Sequence, residues 1–150
     1  MTERDYVMAY TLHGQGLDIG SGDRPFMADN IRTVDINGAY ADLPNMPFEE
    51  LMLGKGQTVD FIIFSHSLRY MESIIHAIKH AFELLQTGGR LIILERYDDK
   101  ARHRFNFDEM GGIFRLLEKV FFVEQHGYTN EGSYYYICRK RGKIVKGEKK

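Results

Sequence analysis

Cysteine occurs once in this chain, at Cys138, and proline only three times. A single thiol excludes an internal disulfide framework and points to a reducing, cytoplasmic setting. No Pro- or Ser-rich linker, internal repeat or low-complexity tract divides the chain, so one domain is expected over residues 1–140. Apolar runs stay well short of the ~20 residues a membrane helix needs, so no membrane contact is expected. The charged opening Met1-Thr2-Glu3-Arg4-Asp5 lacks the apolar core of a signal peptide. A metal site is not expected either. His76 and His80 stand four apart, a zinc-capable spacing, but the Glu of His-Glu-x-x-His is missing and Lys79 shares their polar face, so a solvated surface is expected.

What is present is an ordinary globular composition. The 150 residues are 43% hydrophobic and 27% charged, enough for one real core. The net charge of −1 is unevenly placed, because Arg139–Lys150 holds seven Lys or Arg and one Glu. The basic end, 141–150, is expected to be a flexible, solvated tail. Nucleic acid is a partner that such a tail can touch, but the acidic remainder argues against the whole domain being a nucleic-acid binder.

Periodicity alternates between strand and helix. Leu17-Asp18-Ile19 reads as a strand that ends in Gly20-Ser21-Gly22, and Ile31–Ile36 as a second, stopped by Asn37-Gly38. A brief third strand is expected around Tyr40–Leu43, and a short helix over Phe48–Leu53. The near-continuous apolar run Val59–Phe64 predicts a strand covered on both faces. Ile74–Leu85 predicts a helix burying Ile74, Ile75, Ile78, Ala81, Phe82 and Leu85, closed by Thr87-Gly88-Gly89 with glycine as its left-handed cap. Leu91–Leu94 follows as a buried strand. A second helix, Asp108–Lys119, offers Asp108 as its cap and Met110, Ile113, Phe114 and Leu117 as its buried stripe. Val120–Gln125 and Tyr134–Arg139 close the chain as an antiparallel hairpin turning at Asn130-Glu131-Gly132. The three consecutive tyrosines 134–136 suit alternating burial in that hairpin.

Strands alternating with helices and buried on both faces give a doubly wound α/β sheet, whose ligands bind beyond the carboxyl ends of the strands. Gly20, Asp35, Ser65 and Glu95 all fall at such ends. Glycines at 20 and 22 let backbone N–H groups approach a charged ligand, since no Cβ stands in the way. A carboxylate at Asp35 can accept hydrogen bonds from both hydroxyls of a ribose. Asp35 lies 13 residues beyond Gly22, against the ~20 usual in dinucleotide folds, which speaks against a nicotinamide enzyme.

Five segments in order resemble one family. Leu17-Asp18-Ile19-Gly20-Ser21-Gly22-Asp23 is similar to the first motif of class I S-adenosylmethionine-dependent methyltransferases, and Val34-Asp35-Ile36 to their second acidic position. Asp42-Leu43-Pro44-Asn45-Met46-Pro47-Phe48 resembles their "D-L-x-x-L-P-F" segment. Val59–Leu68 resembles the "F-D-x-V-x-S-x-H-x-L" strand and its exit. Leu84–Leu91 resembles the "L-L-K-P-G-G-x-L" turn. The likeness spans residues 16–96.

The resemblance implies a Rossmann-like, mostly parallel methyltransferase sheet in the order 3-2-1-4-5-7-6 with the last strand antiparallel, and S-adenosylmethionine as cofactor. It implies Asp18, Gly20, Ser21 and Gly22 around the methionine end, Asp35 with Ile36 at the ribose, and Asp42 with the Leu43 backbone at the adenine. Ser65 and His66 would lie near the sulfonium and the nucleophile, with His66 as candidate base. Two departures stand out. Arg24 replaces the third family glycine, and only eight residues, Asp23–Asn30, are left for the first crossover against the usual 10–12. These support an alternative, a non-catalytic binding protein of the same fold. An active enzyme would transfer methyl to an unidentified acceptor, a small molecule or one presented with a partner subunit or second copy, and any cap over the site must come from residues 1–15 and 97–108.

Overall fold

In the computed structural model, residues 2–20, 26, 28–35, 43–44, 48–96 and 107–142 are described, with backbone alone for 43–44 and 107–111. The elements are α1 (Glu3–Ala9), β1 (Gly16–Ile19), β2 (Ile31–Asp35), β3 (Leu43–Pro44), a 3-10 turn at Phe48–Glu50, β4 (Val59–Ser65), a second 3-10 turn at Leu68–Tyr70, α2 (Ile74–Leu84), β5 (Leu85–Glu95), α3 (Phe107–Val120), β6 (Phe121–Tyr128) and β7 (Tyr134–Lys140). They build one seven-stranded sheet in the order β3-β2-β1-β4-β5-β7-β6. Only β7 runs against its neighbours, antiparallel to both β5 and β6. The order implied by the family resemblance is the order observed.

Burial explains why the central strands read as continuous apolar runs. On one face Leu17, Ile19, Ile62, Phe64, Leu91 and Ile93 meet α2 and α3. On the other, Ile31, Phe61, Ile63, Ile92, Leu94 and Ile137 meet Val7 of α1 and Phe26. The tyrosines of β7 alternate as expected, Tyr134 and Tyr136 with the first cluster and Tyr135 with the second. Between β1 and β2 the described residues, Gly20, Phe26, Ala28, Asp29 and Asn30, contain no helix. α1 packs over this face beside Phe26, with the Arg4 guanidinium 4.0 Å over the Phe26 ring.

Four local expectations are corrected. The Phe48–Leu53 helix is a single 3-10 turn. The helix expected to be capped at Gly88 stops at Leu84, and β5 starts at once, six residues before Leu91. At the helix end the Leu85 N–H bonds Ala81 O, and the Lys140 ammonium lies 2.7 Å from Phe82 O in the last turn and from Leu85 O just beyond it. Ile75 is 55% exposed, because the buried stripe runs through Ala77, Ile78, Ala81 and Leu84. Asp108 lies within α3, which begins at Phe107. The third strand is seen at Leu43–Pro44, while 36–42 and the tail from 143 lie outside the described residues.

Sequence reading missed α1. Its signal was present: Thr2 and Asp5 form a reciprocal capping box, with the Thr2 hydroxyl accepting from Asp5 N and the Asp5 carboxylate accepting from Thr2 N.

Candidate active site

Register places the strand ends level. Ile19 pairs with Val34 of β2 and with Phe64 of β4, so the next residues, Gly20, Asp35 and Ser65, form one row across three strands. At ~4.8 Å per strand that row is roughly 10 Å wide. Ser65 in turn pairs with Leu94, one residue before Glu95.

Gly20 has a left-handed backbone, φ +68°, and its N–H donates to Val34 O at 2.7 Å. A Cβ built there would stand 2.5 Å from the Ser67 Cβ. Both facts require glycine: any side chain would be strained in torsion and would collide with the exit of β4. The bare backbone so obtained can cradle a polar ligand group, and Asp35 lies one strand away in the same row. This fits an adenosyl cofactor.

Asp18 is 2% exposed and accepts the Phe26 N–H at 2.9 Å, bracing the chain just past the glycine turn. Burial pushes its carboxyl up to about 6, against the Phe26 hydrogen bond and nearby Arg4. Ser21, Gly22, Ile36 and Asp42 lie outside the described residues, and Leu43 is seen as backbone paired with Val34.

The exit of β4 is the most constrained part of the site. His66 is left-handed without being glycine, φ 57°, a conformation that costs on the order of 1–3 kcal/mol. Its N–H still continues the sheet ladder to Leu94 O at 2.8 Å. Its Nε2 lies 3.1 Å from Glu3 Oε1, joining β4 to the first turn of α1. Glu3, 7% exposed, also accepts from the Thr129 hydroxyl in the β6–β7 turn. Burial alone would raise the Glu3 carboxyl, but the contacts from Thr129 and His66, with the Ser133 hydroxyl nearby, outweigh it and hold it below the usual range. Burial lowers His66 below an ordinary histidine, only partly offset by Glu3, so the ring is neutral near pH 7.

Glu95, at the end of β5, is fully buried. It accepts backbone N–H groups of Arg69 (3.0 Å) and Arg96 (3.2 Å), with the Arg69 guanidinium 3.6 Å away. Burial raises its carboxyl to about 7 despite those contacts. It fixes the Leu68–Tyr70 turn and, with it, the loop that carries His66 and Ser67. Sequence placed Glu95 at this edge; its anchoring role needed the fold to show it. Glu3 was not singled out at all. His80 was expected on a solvated face, but its ring packs edge-on against Phe48 and its Nε2 donates to Leu51 O at 2.8 Å. It is a structural group, and among the described residues no cluster of His, Cys, Asp or Glu could hold a metal ion.

With this geometry in view, comparison is decisive. A family model described as a methyltransferase domain matches residues 10–140. The chain belongs to the S-adenosylmethionine-dependent methyltransferases. Membership brings an enzyme class, methyl transfer, and its cofactor.

Among solved structures, this methyltransferase is similar to the N-methyltransferase NodS from Bradyrhizobium japonicum WM9, at 14% identity, with 93% of this chain and 94% of that one covered and a TM-score of 0.72. It is similar also to a Burkholderia thailandensis 1,6-didemethyltoxoflavin-N1-methyltransferase with bound S-adenosylhomocysteine (14% identity, 93% and 76% covered, TM-score 0.68). A putative rRNA-methylase from Clostridium thermocellum resembles it at 18% identity, with 94% of each chain covered and a TM-score of 0.63. At these identities the likeness is one of fold. No curated protein matches this sequence.

Proposed function

We propose that this methyltransferase holds S-adenosylmethionine across the Gly20–Asp35–Ser65 row and passes its methyl group to an acceptor that approaches over the exit of β4. The observation that carries the reading is the enforced glycine at position 20, level with a carboxylate one strand away. Asp35 receives the two ribose hydroxyls. The methionine end lies along the turn from Asp18 through Gly20, Ser21 and Gly22, and the adenine lies toward Ile36, Asp42 and the Leu43 backbone.

When bound, the cofactor supplies a methyl carbon already activated for displacement. What the protein adds is chiefly alignment, which can contribute several kcal/mol. Ser65 and His66 border the place where the two reactants meet, and neutral His66 is suited to take a proton. Acceptors with an exchangeable proton are therefore favoured, and the N-methyltransferases among the structural neighbours act in keeping with this.

Calorimetric titration of the full chain with S-adenosylmethionine and with NAD, wild type beside Asp35→Ala, tests the reading. Two charge-assisted hydrogen bonds at about 1.5 kcal/mol or more each imply a loss of over tenfold in affinity for the variant. Equal affinity in Asp35→Ala rejects the ribose assignment, and preference for NAD rejects the cofactor. Binding without methyl transfer to any acceptor class would leave the non-catalytic alternative.

A further inference from the structure

The first turn of α1 belongs to no segment of family likeness found in the sequence, yet it reaches the exit of β4 from 63 positions away. We propose that Glu3 is a positioning residue: its carboxylate holds His66 as the Nε2–H tautomer, so that Nδ1 is the nitrogen left to receive the acceptor's proton. This rests on the methyltransferase reading and narrows it to acceptors that shed a proton, hydroxyl or N–H groups.

Three observations meet here. A carboxylate only accepts hydrogen bonds, so the 3.1 Å contact commits the ring hydrogen to Nε2. Nδ1 is then a bare acceptor, shut off from solvent and without a hydrogen-bond partner among the described residues. Buried polar atoms are nearly always partnered, and one left over at a strand-end edge is a place for a ligand's donor. Finally, the left-handed backbone at His66 aims this ring at a strain cost, a feature that clusters at working sites. Glu3 is itself tied down by Thr129 in the β6–β7 turn, so the ring is braced from two elements beyond its own.

In the transfer step the acceptor atom bonds the methyl carbon, the sulfur–carbon pair stays on sulfur, and the acceptor's proton moves to Nδ1. The resulting imidazolium faces the Glu3 carboxylate, which offsets the charge, while Arg69 and Arg96 oppose it. That opposition weakens the ring's hold on its second proton once the products leave.

Histidine-15N NMR of the full chain reads tautomer and titration directly, without an acceptor in hand. Wild type should show Nε2 protonated and Nδ1 bare at neutral pH. Glu3→Ala should lose the fixed tautomer, Glu3→Gln should shift the His66 titration downward, and Thr129→Val should keep the tautomer. If the ring is protonated at Nδ1, or if Glu3→Gln leaves its titration unmoved, the proposal fails. Equal losses of melting temperature in Glu3→Ala and Thr129→Val with His66 unchanged also overturn it, since that is what a mere helix tether would give. The same samples titrated with S-adenosylmethionine separate the two claims: no binding by wild type sinks both, and binding by all with an Nδ1-protonated ring sinks only the role of Glu3.

Discussion

Asp18, His66 and Glu95 at the carboxyl edge are tuned by burial more than by partners, whereas at Glu3 the partners prevail. For Glu95 the ordinary carboxylate value, 4.5, rises to about 7 in the fold. The folded state therefore binds a proton more tightly than the unfolded chain between those limits, and stability falls as pH rises through that window. The shift corresponds to roughly 3 kcal/mol at neutral pH. Glu95→Gln keeps an acceptor for the Arg69 N–H but carries no charge to desolvate. Urea melts of both proteins should nearly coincide at pH 4.5, with the variant gaining on wild type by pH 7.5; parallel pH profiles would show that the site is wetter than its burial indicates. The places of Asp35 at a strand end and of Gly20 in a turn were legible, because each is marked by its own few neighbours. Glu3 was not, because nothing local distinguishes it from any charged residue near a terminus.

At the level of elements, strands were read well and their terminations poorly. Val59–Ser65 and Tyr134–Lys140 announce themselves through β-branched and aromatic runs. The end of α2 does not, since the ammonium that meets the Phe82 and Leu85 carbonyls comes from Lys140, 55 positions from Leu85. A glycine pair nearby offered a local explanation, and the contact found there is with a distant ammonium. Lys140→Met removes both hydrogen bonds and the ammonium that lies 4.4 Å from the centre of the Phe82 ring. It should destabilise the fold by about 1.5 kcal/mol, the low end for bonds to a charged donor because the group is partly open to water. Chemical denaturation reads this directly, and an unchanged midpoint would mean that water replaces the ammonium at no loss. The missed α1 is the same lesson reversed: its capping box is local, but its stability comes from burying Val7 among sheet residues far along the chain.

For the molecule as a whole, the topology was legible because βαβ alternation and five ordered segments allow few arrangements. What sequence could not convey is how unequally the two faces are covered. α2 and α3 back one face, while α1 and Phe26 share the other among the described residues. Native-state hydrogen exchange should follow this: amides of β4 and central β5 should open only with global unfolding, and those of β3 and β6 at the borders well before. Uniform protection across all seven strands would contradict it.

The position of β7 has a consequence for biogenesis. Although synthesised last among the strands, it is inserted between β5 and β6 rather than added outside them. A nascent chain still waiting for residues 134–140 must carry β5 as a raw hydrophobic border, with Ile92, Ile93 and Leu94 beside unpaired peptide groups. Such borders invite pairing between copies. Premature stops just upstream should thus yield inclusion bodies in place of a shortened enzyme.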